Sequence, residues 1–283
     1  MKFGDFEIRL VNGGNFKLDG GAMHGVVPKT IWSRLASCDE QNRCSYATNC
    51  LLVEGRGRRV LIETGNGDKF SPKEKDIYGI DHDRSIVKNL ADLGVEADSI
   101  DYVLMTHLHF DHAGGTTVRD GATTRPVFSR ARHVVQKQEL YDAQHPHERN
   151  RASYLPENFA PLLDAGLVDL PDGAQEIVPG ISVLPTPGHT RGHQSILVDD
   201  GQGHKLLFLG DIVPTAIHTK LAFIMAYDLD VVGTLETKRQ LWKQALAESW
   251  LLVFGHELET HAGYLGLDAK GQYAVHQPVR LSA

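Results

Sequence analysis

Cysteine is scarce in this chain: three residues among 283, Cys38, Cys44 and Cys50, an odd number spaced six apart. That pattern excludes a disulfide framework and the CxxC pairs of a structural zinc site. The three read as ordinary buried or half-buried thiols, with a Cys44–Cys50 or an intermolecular bridge left open. Basic charge is also in deficit, with 29 Lys plus Arg against 36 Asp plus Glu and a net charge of −7. Without a basic run the chain lacks the electrostatic footprint of a nucleic-acid binder, and polyanionic substrates are disfavoured. No apolar run approaches the roughly 18 residues of a membrane span. Met1 to Leu10 alternates charged and apolar residues and has no signal-peptide core, so a cytoplasmic protein is expected. Fixed-period repeats, low-complexity stretches and a Gly/Ser/Pro linker are missing too, which favours one domain over residues 1–283.

What is present is ordinary globular composition, 41% hydrophobic and 23% charged, enough for a sizeable core. Strand-like runs occupy Phe6 to Val11, Tyr46 to Val53 and Arg59 to Glu63, the last two joined by the hairpin signal Gly55-Arg56-Gly57. Ile86, Val87, Leu90 and Leu93 give a helical period over Asp83 to Leu93, stopped by Gly94 and followed by a buried strand, Tyr102 to Met105. Strand Arg132 to Val135 leads into a polar helix from Gln136, and the segment near 136–166 reads as an inserted cap. Further strands are expected at Gln175 to Val178, Ile181 to Leu184, Gln194 to Val198, Lys205 to Leu209 and Leu251 to Phe254, with a helix from Leu235 to Glu248. Two sheets packed face to face with helices outside accommodate this order.

Histidine is plentiful, with 15 copies, and five of them together with two aspartates stand in four loops that follow strands. In Thr106-His107-Leu108-His109-Phe110-Asp111-His112, directly after strand Tyr102 to Met105, alternate residues of an extended segment face one side. His107 and His109 can therefore aim at one metal. A turn then brings Asp111 and His112 to a second, with Gly114-Gly115 giving the backbone room. Zinc usually takes about four ligands, so the rest must come from elsewhere. His189 in Thr186-Pro187-Gly188-His189, Asp211 in Leu209-Gly210-Asp211 and His256 in Phe254-Gly255-His256 each follow a strand and a glycine. A carboxylate can bridge two cations, which nominates Asp211 as the bridge. His107, His109 and His189 are then expected to hold metal one, and Asp111, His112 and His256 metal two.

This HxHxDH motif with its later His, Asp and His resembles the metallo-β-lactamase superfamily, from about Phe6 to His256. The resemblance implies an α+β fold, a four-layer αβ/βα sandwich with the site at one edge of the two sheets. Two neighbouring divalent cations suit hydrolysis: a bridging hydroxide attacks, metal one polarises the acyl oxygen and metal two accepts the alkoxide. Asp111 and Asp211 are the expected catalytic carboxylates, Asp111 protonating the leaving group. Zinc is the default metal, although iron, manganese or cobalt suit these ligands equally.

The runs His107 to Gly115, Pro185 to Ser195 and Asp211 to Asp228 are most similar to acyl-homoserine lactonases and their lactonase-like relatives, with methyl parathion hydrolase close by. The implied substrate is a small carboxylic ester or lactone. Phe110 is a candidate for lining the acyl pocket. Many of these lactonases carry a tyrosine three residues after the bridging Asp, where Pro214 stands here and can donate nothing; His218 and Tyr227 are candidates to replace it. His193 is expected to support the site or pack rather than ligate, and Glu63, where the family's Asp is usual, to act as scaffolding. His145 and His147 of the cap are open to a substrate role or to solvent, and Met23, Ile31 and Trp32 to core packing or to covering the pocket.

Phosphotriesterase and glyoxalase-II-like thioesterase activities share every ligand, and a noncatalytic metal-dependent ligand-binding protein is the non-enzyme alternative. The oligomeric state stays open, a homodimer being favoured only by the resemblance and by the frequency of twofold assemblies.

Overall fold

Two seven-stranded sheets frame the computed structural model, which describes residues 1–80 and 84–282. The first sheet orders Lys2–Phe3, Phe6–Asp19, Arg43–Gly55, Arg58–Ile62, Tyr102–Leu104, Arg132–Val134 and Val168–Asp169 side by side. The second runs from Gln175–Val178 through Ile181–Pro185, Gln194–Asp199, Lys205–Phe208, Leu251–Val253 and Ala262–Leu267 to Tyr273–Val279.

Strand periodicity explains the layering. Ile8, Leu51, Val53, Val60 and Ile62 point inward from the first sheet and meet Val183, Ile196, Val198, Leu206 and Phe208 of the second in one core. The residues between them point outward: Cys50, Leu52, Leu61 and Val103 pack under Ile86, Leu90 and Leu140. Leu207, Leu209 and Leu252 pack under Leu241, Trp242 and Ala245. The result is helix, sheet, sheet, helix, the four-layer sandwich that the resemblance implied. Each fully buried aliphatic side chain contributes about 1.5–3 kcal/mol, so a strand buried on both faces needs the continuous apolar runs seen in the sequence.

Strand Phe6–Asp19 outruns its expected end because a register shift between Asn12 and Asn15 absorbs Gly13-Gly14 without ending the pairing. The hairpin at Arg56-Gly57 forms as expected, both residues having positive φ, 50° and 74°. Helix Ile86–Asp92 is capped by Ser85, whose hydroxyl accepts from Lys88 N–H; Asp83, its expected start, lies outside the described residues. Helix Val231–Glu248 begins four residues before its expected start because the Asp230 carboxylate caps it, accepting from Gly233 N–H at 2.8 Å. Strands Ala262–Leu267 and Tyr273–Val279 and the hairpin Thr117–Asp120 with Thr123–Pro126 escaped the sequence reading, their alternation being broken by Gly, His, Pro and Thr.

The cysteine expectation is corrected. Cys38 and Cys44 form a disulfide, and Cys50 is a buried free thiol. The Asp39 carboxylate accepts from Gln41 N–H at 3.0 Å and Arg43 N–H at 2.9 Å, closing the turn that brings Cys38 beside Cys44. A Cys44–Cys50 bridge is excluded because both lie on strand Arg43–Gly55, where six residues of extended chain span roughly 20 Å. Among the described residues no helix is long and apolar enough to cross a membrane.

Candidate metal centre

Every expected ligand follows the end of a strand on the same edge of the sandwich. His107 and His109 follow Tyr102–Leu104, His189 follows Ile181–Pro185, Asp211 follows Lys205–Phe208 and His256 follows Leu251–Val253. The short helix Phe110–Ala113 turns Asp111 and His112 back towards the same point. Glycines permit that turn. Gly65 and Gly67, at φ 71° and 69°, lie against the backbones of Gly13 and Gly114, and Gly115 lies against Thr64, so that a Cβ on any of them would collide with main chain.

Two clusters of buried side chains result, His107, His109 and His189 in one and Asp111, His112, Asp211 and His256 in the other, the ligand atoms of each within 4.8 Å of one another. Asp211 faces both. Its Oδ2 lies 3.5 Å from His189 Nε2, and its Oδ1 lies 3.3 Å from His112 Nε2 and 3.0 Å from His256 Nε2. Asp111 Oδ2 lies 3.5 Å from His256 Nε2.

The far nitrogens of the imidazoles are held in place. His107 Nδ1 meets Thr106 Oγ1 at 3.0 Å, His112 Nδ1 meets Glu63 Oε2 at 3.4 Å, His189 Nδ1 meets Asp228 Oδ1 at 2.9 Å, and His256 Nδ1 donates to the Ala47 carbonyl at 2.8 Å. By contrast, Nε2 of His107, His109, His112 and His256 and Oδ1 of Asp211 are buried without a hydrogen bond. Buried polar atoms without partners cost about 1–3 kcal/mol each, so the orphaned atoms of His107, His112, His256 and Asp211, with His109 Nδ1 and His189 Nε2 facing each other at 3.1 Å, are what two cations would satisfy. The residues fit two metal ions.

The electrostatics differ between clusters. Burial, then the neighbouring imidazoles of His112, His109 and His189, hold His107 well below the ordinary histidine value, and His109 is depressed in the same way. Burial also opposes charge on His112, but the carboxylates of Asp211, Asp111 and Glu63 outweigh it and lift His112 well above that value. Burial works against the Asp211 carboxylate, and His256 and His112 more than compensate, pulling it well below the usual carboxylate range.

A cavity of about 280 Å³ opens onto this centre, with His109, Asp111, His189 and Asp211 at its floor. Leu18, Phe110, Met225, Tyr227 and Leu229 form its walls, and Arg149, Asn150 and Ser153 reach it from the cap. Phe110 and Tyr227 thus reach the cavity. His218 does not: Nδ1 meets Thr215 Oγ1 at 2.7 Å and Nε2 meets the Met23 carbonyl at 2.8 Å, so both ring nitrogens are spent on packing. His145 and His147 border a separate cavity of about 350 Å³. Met23 and Trp32 are core residues beside Phe16 and Phe110, while Ile31 is exposed. Pro214 contributes only its carbonyl, which accepts from His256 N–H at 2.9 Å.

Three supports lie behind the ligands. His193 Nε2 accepts from Asp211 N–H at 3.0 Å, a positioning role. Glu139, on cap helix Lys137–Gln144, accepts from Leu108 N–H at 3.0 Å, Tyr154 hydroxyl at 2.8 Å and Thr190 hydroxyl at 2.6 Å, tying the first motif to the His189 loop. Asp228 and Glu139 were missed by sequence reasoning, because 39 and 31 residues separate them from the groups they orient.

A sandwich with two buried ligand clusters at one sheet edge defines a metallohydrolase architecture. The metallo-beta-lactamase superfamily model matches residues 46–256, and this chain belongs to that superfamily. It is 31% identical over 228 residues to an N-acyl homoserine lactonase of a Bacillus species, covering 76% of this chain and 82% of that one. A solved structure of a probable metal-dependent hydrolase from Staphylococcus aureus superposes with TM-score 0.89 at 33% identity, covering 99% of this chain and 100% of the other. An N-acyl homoserine lactone hydrolase solved with N-hexanoyl-L-homoserine at its catalytic metal centre gives TM-score 0.70 at 26% identity, covering 89% and 93% of the two chains.

Proposed function

We propose that this chain is a lactonase or esterase that opens small carboxylic esters, acyl-homoserine lactones foremost, with two metal ions, zinc by preference. The observation that carries the reading is the set of orphaned ligand atoms in two clusters that share Asp211, at the floor of a partly apolar cavity. His107, His109 and His189 would hold one ion, Asp111, His112 and His256 the other, and Asp211 both. When bound, such a pair supplies Lewis acidity and a nucleophilic water near neutral pH.

The protein's own groups divide the remaining work. Asp111, whose carboxyl is at the cavity floor, carries the proton to the departing alkoxide oxygen. Burial, with lesser contributions from Asp19, Tyr78 and Asp111, raises the Tyr227 phenol above its ordinary value, so it stays protonated and donates to the substrate oxygen in place of the tyrosine absent at Pro214. Phe110, Leu18 and Met225 cover the acyl chain and keep bulk water out. Residues 1–283 act as one hydrolase domain, with the cap near 136–166 closing one side of the cavity.

Elemental analysis with a substrate panel tests this. We expect two metal ions per chain and the highest kcat/KM on acyl-homoserine lactones, ahead of aryl esters, thioesters and paraoxon-type triesters. Preference for triesters or thioesters overturns the substrate assignment, and stoichiometric ligand binding without product overturns the enzyme.

A further inference from the structure

Lys238 is a lysine with no access to solvent, in the middle of helix Val231–Glu248. Among the described residues no carboxylate comes within ion-pairing distance. Its Nζ instead donates to the Lys220 carbonyl at 2.8 Å and to the Phe223 carbonyl at 2.9 Å. Burial pushes the ammonium down to about 7, opposed by the Asp228 carboxylate. A neutral amine still carries two N–H bonds, so the contact to two carbonyls does not require the charge. One turn further along, Trp242 Nε1 donates to the Thr219 carbonyl at 2.9 Å.

Helix Val231–Glu248 therefore grips residues 219–223 from behind, and the same segment continues into Met225, Tyr227 and Leu229 on the cavity wall. We infer that Lys238 is the positioning residue of this substrate-binding wall. The inference rests on the proposed reading of the cavity as the substrate site.

Its effect should fall on binding rather than on chemistry. The His189–Asp228 contact at 2.9 Å has its own restraints, since Leu229 N–H donates to the His189 carbonyl at 3.1 Å and Asp230 N–H to the Gly188 carbonyl at 2.9 Å. The wall residues 225–227 are held on one side by Ala226 N–H donating to the Ala22 carbonyl at 2.8 Å and on the other by the anchored turn before them. Loss of contacts made equally to substrate and transition state raises KM and leaves kcat nearly unchanged.

The test compares Lys238→Met, similar in length but without donors, with Lys238→Gln, which offers two N–H donors and no charge. Both metals should remain bound to Lys238→Met. KM should rise about tenfold with kcat within about threefold on whichever panel substrate the wild type turns over. Backbone amides 224–229 should exchange hydrogen about tenfold faster, a readout that holds even if the panel finds no substrate. Lys238→Gln should fall between wild type and Lys238→Met in both measurements. Wild-type KM and exchange in a folded Lys238→Met overturn the inference, as does loss of metal and kcat at unchanged KM. If Lys238→Met does not fold, Lys238→Gln decides alone: a KM about threefold above wild type supports the inference, and wild-type KM with wild-type exchange overturns it.

Discussion

The two sheets reach the same centre by different routes. The first delivers four ligand side chains, His107, His109, Asp111 and His112, within six consecutive residues. The second delivers three, His189, Asp211 and His256, from three separate loops. A compact motif fixes much of its geometry by local turns and glycine contacts, with Glu63 and Glu139 accepting from the backbone amides of Thr106 and Leu108. The dispersed ligands need help from elsewhere: Asp228 for His189, His193 for Asp211, and the carbonyls of Ala47 and Pro214 for His256. On the second sheet, precision comes from what stands behind the ligand.

The largest break in this comparison is Asp211→Ala, which removes the group shared by both clusters. It should lower kcat/KM by about 10³-fold or more and reduce bound metal below two ions per chain, read by elemental analysis.

Next comes the pH dependence of stability in metal-free protein, where each half contains a buried neutral imidazole. Burial holds His133 of the first sheet down to about 4 and His218 of the second half down to about 3. The unfolded chain accepts a proton near pH 6.5 and the folded chain does not, so the contribution is fully present above that pH and is lost as pH falls towards 4. For His133 the loss by pH 4 is about 3 kcal/mol. Denaturant melts of His133→Leu should therefore flatten between pH 6.5 and 4. His218→Leu should flatten likewise, but it also costs stability at neutral pH because two hydrogen bonds disappear. Parallel slopes in wild type and His133→Leu would contradict the assignment.

The dependence on supports is tested by Asp228→Ala against Glu63→Ala. Asp228 meets its imidazole at 2.9 Å, and Glu63 at 3.4 Å while also accepting from Thr106 N–H at 2.7 Å. Asp228→Ala should weaken binding of one metal about 10–100-fold, with less effect on the second. Glu63→Ala should weaken the other ion and lower the melting temperature as well, because it releases a buried backbone donor. Equal metal-affinity losses without a difference in stability would remove the contrast. The smallest effect belongs to Tyr227→Phe, about three- to tenfold in kcat/KM on lactones with both metals retained; no change would return the donor role to another group.

The sequence showed the ligands clearly because each stands after a strand and, in the second half, after a glycine, and because HxHxDH packs four of them together. Layering was legible for the same reason that the strands are buried on both faces. The cavity was legible only in part. Phe110 sits inside the motif and was readable there, whereas Arg149, Asn150 and Ser153 come from a cap whose polar sequence shows no periodicity. His218 looked eligible from its position in the loop after Asp211, and only its two hydrogen bonds remove it. The Cys38–Cys44 pair was hidden because the turn that joins them depends on Asp39 bonding backbone amides.

The stacked glycines behind the motif set how this enzyme can change over generations. Gly65, Gly67, Gly114 and Gly115 touch facing main chain so closely that no side chain fits. Almost every substitution there would displace the His107–His112 turn, so this side of the molecule has few viable neighbours in sequence space. The cavity-lining side chains of Arg149, Met225, Tyr227 and Leu229 are outside those glycine contacts and face the centre across the cavity. New substrate preferences should therefore accumulate on the cap and wall while the glycine side stays fixed, and a library built to redirect the enzyme should place its diversity there.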